Sequence, residues 1–214
     1  MSNSIYPPQN YKYAVANNNL YEKNELNNVF DQNTRTELPI DYEEHENTLV
    51  ISSKDRNLNR YPNQSSYSVS FPEEFKNIYS IELIQSILPN TGNINTHPYL
   101  LLTLDELKSN NTIISNDKYM SNAFAILPST PAVTGFICID KRVHENVILY
   151  FKPSLASLSK MTISITDPYG TLFDFGTDSD PYTKTLQNTF IFKIVTMHKS
   201  TNSLAFRNVY KWTW

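Results

Sequence analysis

The chain has 214 residues, enough for one domain with a core of its own and short for two. Charged residues make up only 18% and aromatics 13%, most of the latter from Tyr (14) and Phe (11), a balance that favours strands over helices. A net charge of -3, with Lys141-Arg142 the only adjacent basic pair, argues against a nucleic-acid coat; a polar start and no run of 18 apolar residues argue against a secretory signal and a membrane span.

Residues 1–46 differ in kind from the rest of the chain. Asparagine recurs, as in Asn17 to Asn19 and Asn27-Asn28, and Pro7-Pro8 and Pro39 interrupt regular structure. Lys12, Lys23 and Arg35 stand against eight acids, so this stretch carries -5 and the remainder +2. Its apolar residues, among them Tyr11, Tyr13, Leu20, Tyr21 and Phe30, are spaced singly and cannot form a core together. The stretch reads either as a disordered leader or as an arm that lies along a neighbouring subunit and orders only on assembly.

Strand signals become dense in 47–214. Thr48 to Ser52 opens the domain, and 54–64 is a polar loop. Tyr67, Val69 and Phe71 alternate with Ser66, Ser68 and Ser70, the period of a half-buried strand, which Pro72 is expected to end. The stretch 78–88 is rich in β-branched residues and reads as a long strand up to the Pro89-Asn90-Thr91-Gly92 turn. Tyr99 to Leu104 is a continuous apolar run, consistent with burial on both faces, and Asp105-Glu106-Leu107 adds a helical turn. After an exposed loop over 108–122 come short strands at 123–127 and 135–139, and then Val147 to Phe151, closed by Pro153.

Met161, Ile163 and Ile165 alternate with Thr162, Ser164 and Thr166, and Asp167-Pro168-Tyr169-Gly170 reads as a tight turn. A second strand through Leu172, Phe173 and Phe175 would complete a hairpin. Thr189 to Thr196 places Phe190, Phe192 and Ile194 on one face, and the remainder to Trp214 is rich in aromatics. Eight or nine strands without a long helix predict an all-β sandwich, and spacing alone does not choose between Greek-key topologies.

The order Thr162-Ile163-Ser164, Asp167-Pro168-x-Gly170, Leu172-x-Asp174-Phe175-Gly176 resembles a motif of the single jelly-roll penton and minor capsid protein family of nucleocytoplasmic large DNA viruses. Upstream, ISSKDR (51–56), YPNQSSYSVSF (61–71), YSIELIQSILPN (79–90) and PYLLLTLDEL (98–107) come in the same order, so the likeness spans about 47–196. The resemblance implies a single jelly-roll β-sandwich with an extended N-terminal arm, located in the virion capsid and assembled in the host cytoplasm. It further implies a homopentamer at the fivefold vertices, with the double jelly-roll major capsid protein and other minor capsid proteins as partners. A minor capsid protein that cements or underlies the capsomers is the alternative, as is a carbohydrate- or receptor-binding module on the same fold.

The chain offers little to a catalytic reading, and no catalytic, cofactor-binding or metal-ligating residue is assigned. Four glycines, Gly92, Gly135, Gly170 and Gly176, lie too far apart for a phosphate-cradling loop. His45, His97, His144 and His198 show no ligand spacing. Asp174, Asp178 and Asp180 lack the distal Glu of a calcium loop and read as a solvated acidic turn. Ser52, Ser53 and Asp55 lie near Arg56 without a histidine, so no triad can be read. Glu73-Glu74, and Asp41 with Glu43 and Glu44, are adjacent carboxylates, which is not the opposed geometry of a glycosidase. The lone Cys138, in the run 135–139, reads as a small core residue.

Overall fold

The computed structural model describes residues 42–91, 93–110, 113–129, 135–140 and 147–200. The arm expected over 1–46 lies outside the described residues except for its last five positions. Those five are strand: β1 runs Tyr42–Ser52 and pairs antiparallel with β7 (Thr189–Lys199) from its first residue. Polar side chains conceal this start, because Tyr42–Glu46 are exposed and show no buried face.

Seven strands form among the described residues, fewer than the sequence predicts because two long ones absorb four predicted strands. β2 (Ser66–Pro89) continues through Pro72, and β6 (Val147–Thr166) continues through Pro153. Proline lacks the ladder donor and is tolerated in a sheet at irregularities. The β2–β6 ladder accordingly skips from Ser70 opposite Lys160 to Phe75 opposite Leu158, leaving Pro72 out of register. A second shift, between Ile78 and Ser80, leaves Pro153 out of register in the same way, with Asn77 beside it at a positive φ of 53°. Each bulge bends its strand and increases its twist.

β3 (Tyr99–Leu104), β4 (Ala125–Pro128) and β5 (Phe136–Asp140) complete one antiparallel sheet, in the order β1-β7-β2-β6-β3-β4, with β5 against the end of β2. The sheet curls: Phe124, next to β4, meets Phe192 of β7 edge to face at 6.1 Å although four strand steps separate β7 from β4. Its concave side encloses a single core that includes Tyr67, Ile81, Leu83, Leu102, Met161, Ile163, Ile165, Phe190, Phe192 and Ile194, all fully buried. The predicted phases of β2, β6 and β7 are those observed, with Val69 and Phe71 half-buried at the margin. β3 is buried on both faces, as its apolar run predicts.

The predicted loop over 108–122 is partly helical. A 3₁₀ segment, Asp105–Asn110, leaves β3, and Glu106 accepts hydrogen bonds from the Thr162 amide (2.8 Å) and hydroxyl (2.9 Å), tying that turn to β6. A short helix α1 (Lys118–Ser121) is capped by Asp117, which accepts from the Tyr119 amide.

The turn at 167–170 forms as predicted: Asp167 accepts from the amides of Gly170, Tyr169 and Thr171. Gly170 has φ +84°, and a Cβ there would strike the Tyr119 ring. The second strand of the hairpin does not form. Beyond a single bridge between Thr166 and Leu172, residues 173–176 run as a plug that buries Phe173 and Phe175, with ring centroids 4.7 Å apart. Side chains serve this backbone in place of a ladder, since Ser65 donates to the Phe173 carbonyl, Thr91 to Phe175 and Gln64 to Gly176.

Candidate functional site

The densest polar cluster in the described residues lies where β1 ends and β7 begins. Arg56 is 5% exposed, and a buried guanidinium requires acceptors for all five of its N–H groups. It has them. Nε donates to the Tyr61 carbonyl (2.9 Å), Nη1 to the Ser53 carbonyl (2.6 Å) and Gln187 Oε1 (2.7 Å), and Nη2 to the Pro62 carbonyl (3.4 Å) and Asp178 Oδ2 (2.5 Å). Both side chains of the Arg56–Asp178 pair are sealed from solvent.

Gln187 and Asn188 extend the network. Gln187 donates to Asp178 and to the Thr183 carbonyl, both at 2.8 Å, while its Oε1 also accepts from the Ser53 hydroxyl. Asn188 accepts from the Tyr67 hydroxyl (2.7 Å) and donates to the Gln64 carbonyl (2.8 Å). Burial raises the pKa of the Tyr67 phenol, with Arg56 opposing and Asp55 adding to the effect, so it stays protonated and donates. At Asp178 burial also pushes upward, but hydrogen bonds from the Thr183 amide, Arg56, Gln187 and the Ser179 amide outweigh it and bring the carboxyl down to about 2.

Asp178 thus meets Arg56, 122 positions away and a close neighbour of Ser53, and the expectation that Asp178 belongs to a solvated turn is corrected. No histidine joins them among the described residues. The serine hydroxyls are spent on structure, Ser53 Oγ donating to Gln187 and Ser52 Oγ to the Asn188 carbonyl. A nucleophile needs a base within reach and a donor-lined space for the developing charge. Here each donor already holds a protein acceptor, and the cluster acts as a clamp.

The other residues singled out in the sequence scatter. Asp174 accepts from the Gly176 amide (2.8 Å), and Asp180 is exposed. His97 packs on Phe173 at 5.7 Å. His144 and Asp41 lie outside the described residues. Cys138 is exposed, against the expectation of a core position: β5 alternates, sending Ile137 and Ile139 inward and Phe136 and Cys138 outward. Among the described residues no three His, Cys, Asp or Glu side chains are grouped to hold a metal, and no helix is long and apolar enough to cross a membrane.

His45 and His198 do come together, with ring centroids 4.5 Å apart, at the opposite end of the β1–β7 pair. There His198 and Thr196 line a cleft of about 550 Å³ with Asn47, Leu49, Phe71 and Phe75. Glu73, Glu74 and Lys76 stand at its edge. Phe71 and Phe75 meet edge to face at 5.8 Å. Neither this cleft nor the roles of Gln64, Gln187 and Asn188 can be read from the sequence. Its one signal is the polar pair Gln187-Asn188 set directly before a buried strand.

In comparisons with known proteins, no family model matches the chain and no curated protein matches it.

Proposed function

We propose that this chain is a structural protein of the virion of a large icosahedral DNA virus. In this reading it is a single jelly-roll penton, five copies of which ring a fivefold vertex among trimeric double jelly-roll capsomers, without a catalytic role. One observation supports the reading: three of the five segments that bear the family resemblance, the first, the second and the last, meet at or beside the clamp. Ser53 and Arg56 come from the first, Tyr61, Gln64, Ser65 and Tyr67 from the second, and Phe173 and Gly176 from the last. A pattern whose polar residues are consumed in holding loops together is the signature of a shared scaffold. An enzyme family would instead share residues that face a substrate.

The test is a reconstruction of the virion. Density for the chain at the fivefold vertices is the expected result. Density only beneath or between the facets overturns the penton assignment in favour of a minor capsid role, and absence from the particle overturns the structural reading as a whole.

A further inference from the structure

Three strands of the sheet, β1, β4 and β5, leave an edge without a partner among the described residues, and the three edges are not alike. β4 has four residues and ends in Pro128, and β5 has five. Short strands and proline are common protections of an edge against pairing with another chain. β1 has neither: its eleven residues pair with β7 in unbroken register, without proline or bulge. Ser53, the next residue, donates its amide across the ladder to the Asn188 carbonyl at 3.0 Å. Backbone groups of an antiparallel strand alternate in direction, so the odd-numbered residues of β1 turn theirs to β7. Tyr42, Glu44, Glu46, Thr48, Val50 and Ser52 turn theirs to the open edge.

The guard that β1 does carry is charge, and it is confined to one half of the strand. Glu43, Glu44 and Glu46 lie in the first five residues, whereas Thr48 to Ser52 hold no charge. A second copy of β1 laid antiparallel and centred on Asn47 pairs Glu46 with Thr48, Glu44 with Val50 and Tyr42 with Ser52. That register uses the outward-facing backbone groups and sets no carboxylate opposite another. Moving the centre to Glu46 would set its carboxylate against its own copy, which is destabilising.

The same register brings Tyr42 of the second copy to a depression of about 580 Å³ on the face turned away from the core, lined by Val50, Ser52, Ile87, Phe136 and Tyr182. Tyr42, Val50, Phe136 and Tyr182 are all exposed, so apolar surface stands on both sides of such a contact. Lys54 and Lys184 line the depression against Asp55 alone, and the acidic half of one copy therefore meets a net positive rim on the other.

We infer that β1 is a self-association edge: two copies of this chain join β1 to β1, antiparallel about a twofold axis at Asn47, with Tyr42 of each seated in the depression beside Val50 of the other. The sheet then continues across the pair by strand addition. Such a contact is isologous and closes at two. The inference is independent of the virion reading, in which a ring of five needs a different, head-to-tail surface.

Sedimentation of the full chain over a range of concentrations should show a monomer–dimer equilibrium. Thr48→Pro removes an N–H that faces the open edge and not β7, so it should shift the chain toward monomer while the circular dichroism of the sheet is retained. The dissociation constant should rise about tenfold or more, since the lost hydrogen bond occurs twice in the pair. Because proline can also loosen β1 itself, a second arm leaves the backbone intact: Asn47→Cys in a Cys138→Ser background. Residues opposite each other in a pair without mutual hydrogen bonds have Cα atoms about 4.5 Å apart, within disulfide reach, so mild oxidation should link two copies through position 47. Val50→Cys in the same background should link far less, because it stands opposite Glu44. A chain that stays monomeric up to about 1 mM overturns the inference. So does a dimer or pentamer that Thr48→Pro leaves intact, or one that position 47 does not cross-link, since either puts the contact on another surface; a pentamer of that kind would keep the virion reading.

Discussion

The two ends of the β1–β7 pair solve the same problem in opposite ways. Both strands run eleven residues, so roughly 30 Å separates the ends. At the Ser52–Thr189 end the loops 53–64, 173–178 and 183–188 are drawn together by a sealed ion pair and a network of buried amides and hydroxyls. At the Tyr42–Lys199 end β1 is exposed, the charges stand in solvent and an apolar cleft is open. A curled sheet must stop somewhere, and loop backbone buried where it stops needs partners. Polar side chains meet that need at one end. At the other the strands run out into water, where no such demand arises and a surface is left for something else to cover.

Breaking the clamp should have the largest effect. Arg56→Met keeps most of the side-chain length but leaves Asp178 and Gln187 without their main donor, and removal of one member of a buried pair costs about 3–5 kcal/mol. Urea unfolding measures this directly. A loss below about 1 kcal/mol, the range of exposed pairs, would mean that water reaches Arg56.

The core between the two ends comes next. Ile163 lies on β6 opposite Tyr67 and Leu104 and is fully buried, so Ile163→Ala should cost about 2–5 kcal/mol. An unfolding midpoint indistinguishable from that of the unmodified chain would put the side chain on the surface and reverse the phase of β6.

That phase is legible in the sequence, and the reason the clamp is not is physical. Alternation at 66–71, 161–165 and 189–194 reflects a strand with one wet face, a property local to each segment. Arg56 and Asp178 lie 122 positions apart, and nothing in either neighbourhood announces the other. Pro72 and Pro153 look like strand ends because proline removes a ladder donor, yet two register shifts let the chain pass with that donor out of place. Phe173 and Phe175 keep the period of a strand without forming one, since their backbone is served by Ser65 and Thr91. Cys138 looks like a core residue when 135–139 is taken as a continuous apolar run, whereas its alternation with Ile137 and Ile139 points it outward.

Acid should loosen the clamp selectively. The Asp178 carboxyl is lowered from 3.8 to about 2 in the folded chain, so its contribution is fully present above the unfolded value and is lost as pH falls through the folded one. Stability should therefore decline between about pH 4 and 2 with a component that Asp178→Asn removes. The slope of unfolding free energy against pH, compared between the two proteins, checks this; identical slopes would show that Asp178 titrates no differently in the folded chain.

The smallest effect is expected midway along the exposed face of the β1–β7 pair, and salt is what sharpens the contrast. Lys193 contacts Glu46 at 2.5 Å, as close as Arg56 contacts Asp178, but Glu46 is 61% exposed. The Lys193 pKa is raised, first by the hydrogen bond to Glu46, so whatever the pair contributes is present at neutral pH and lost only as pH rises through the folded value. An exposed pair spends side-chain entropy to hold its geometry and is screened by ions, whereas a sealed pair excludes them. Glu46→Gln should accordingly leave the unfolding midpoint at neutral pH unchanged at both low salt and about 1 M salt, where the screening length falls to about 3 Å. The loss in Arg56→Met should be the same at both salt concentrations. If instead that loss shrinks in high salt, the Arg56–Asp178 pair is open to solvent, and the two ends of the sheet differ in composition but not in kind.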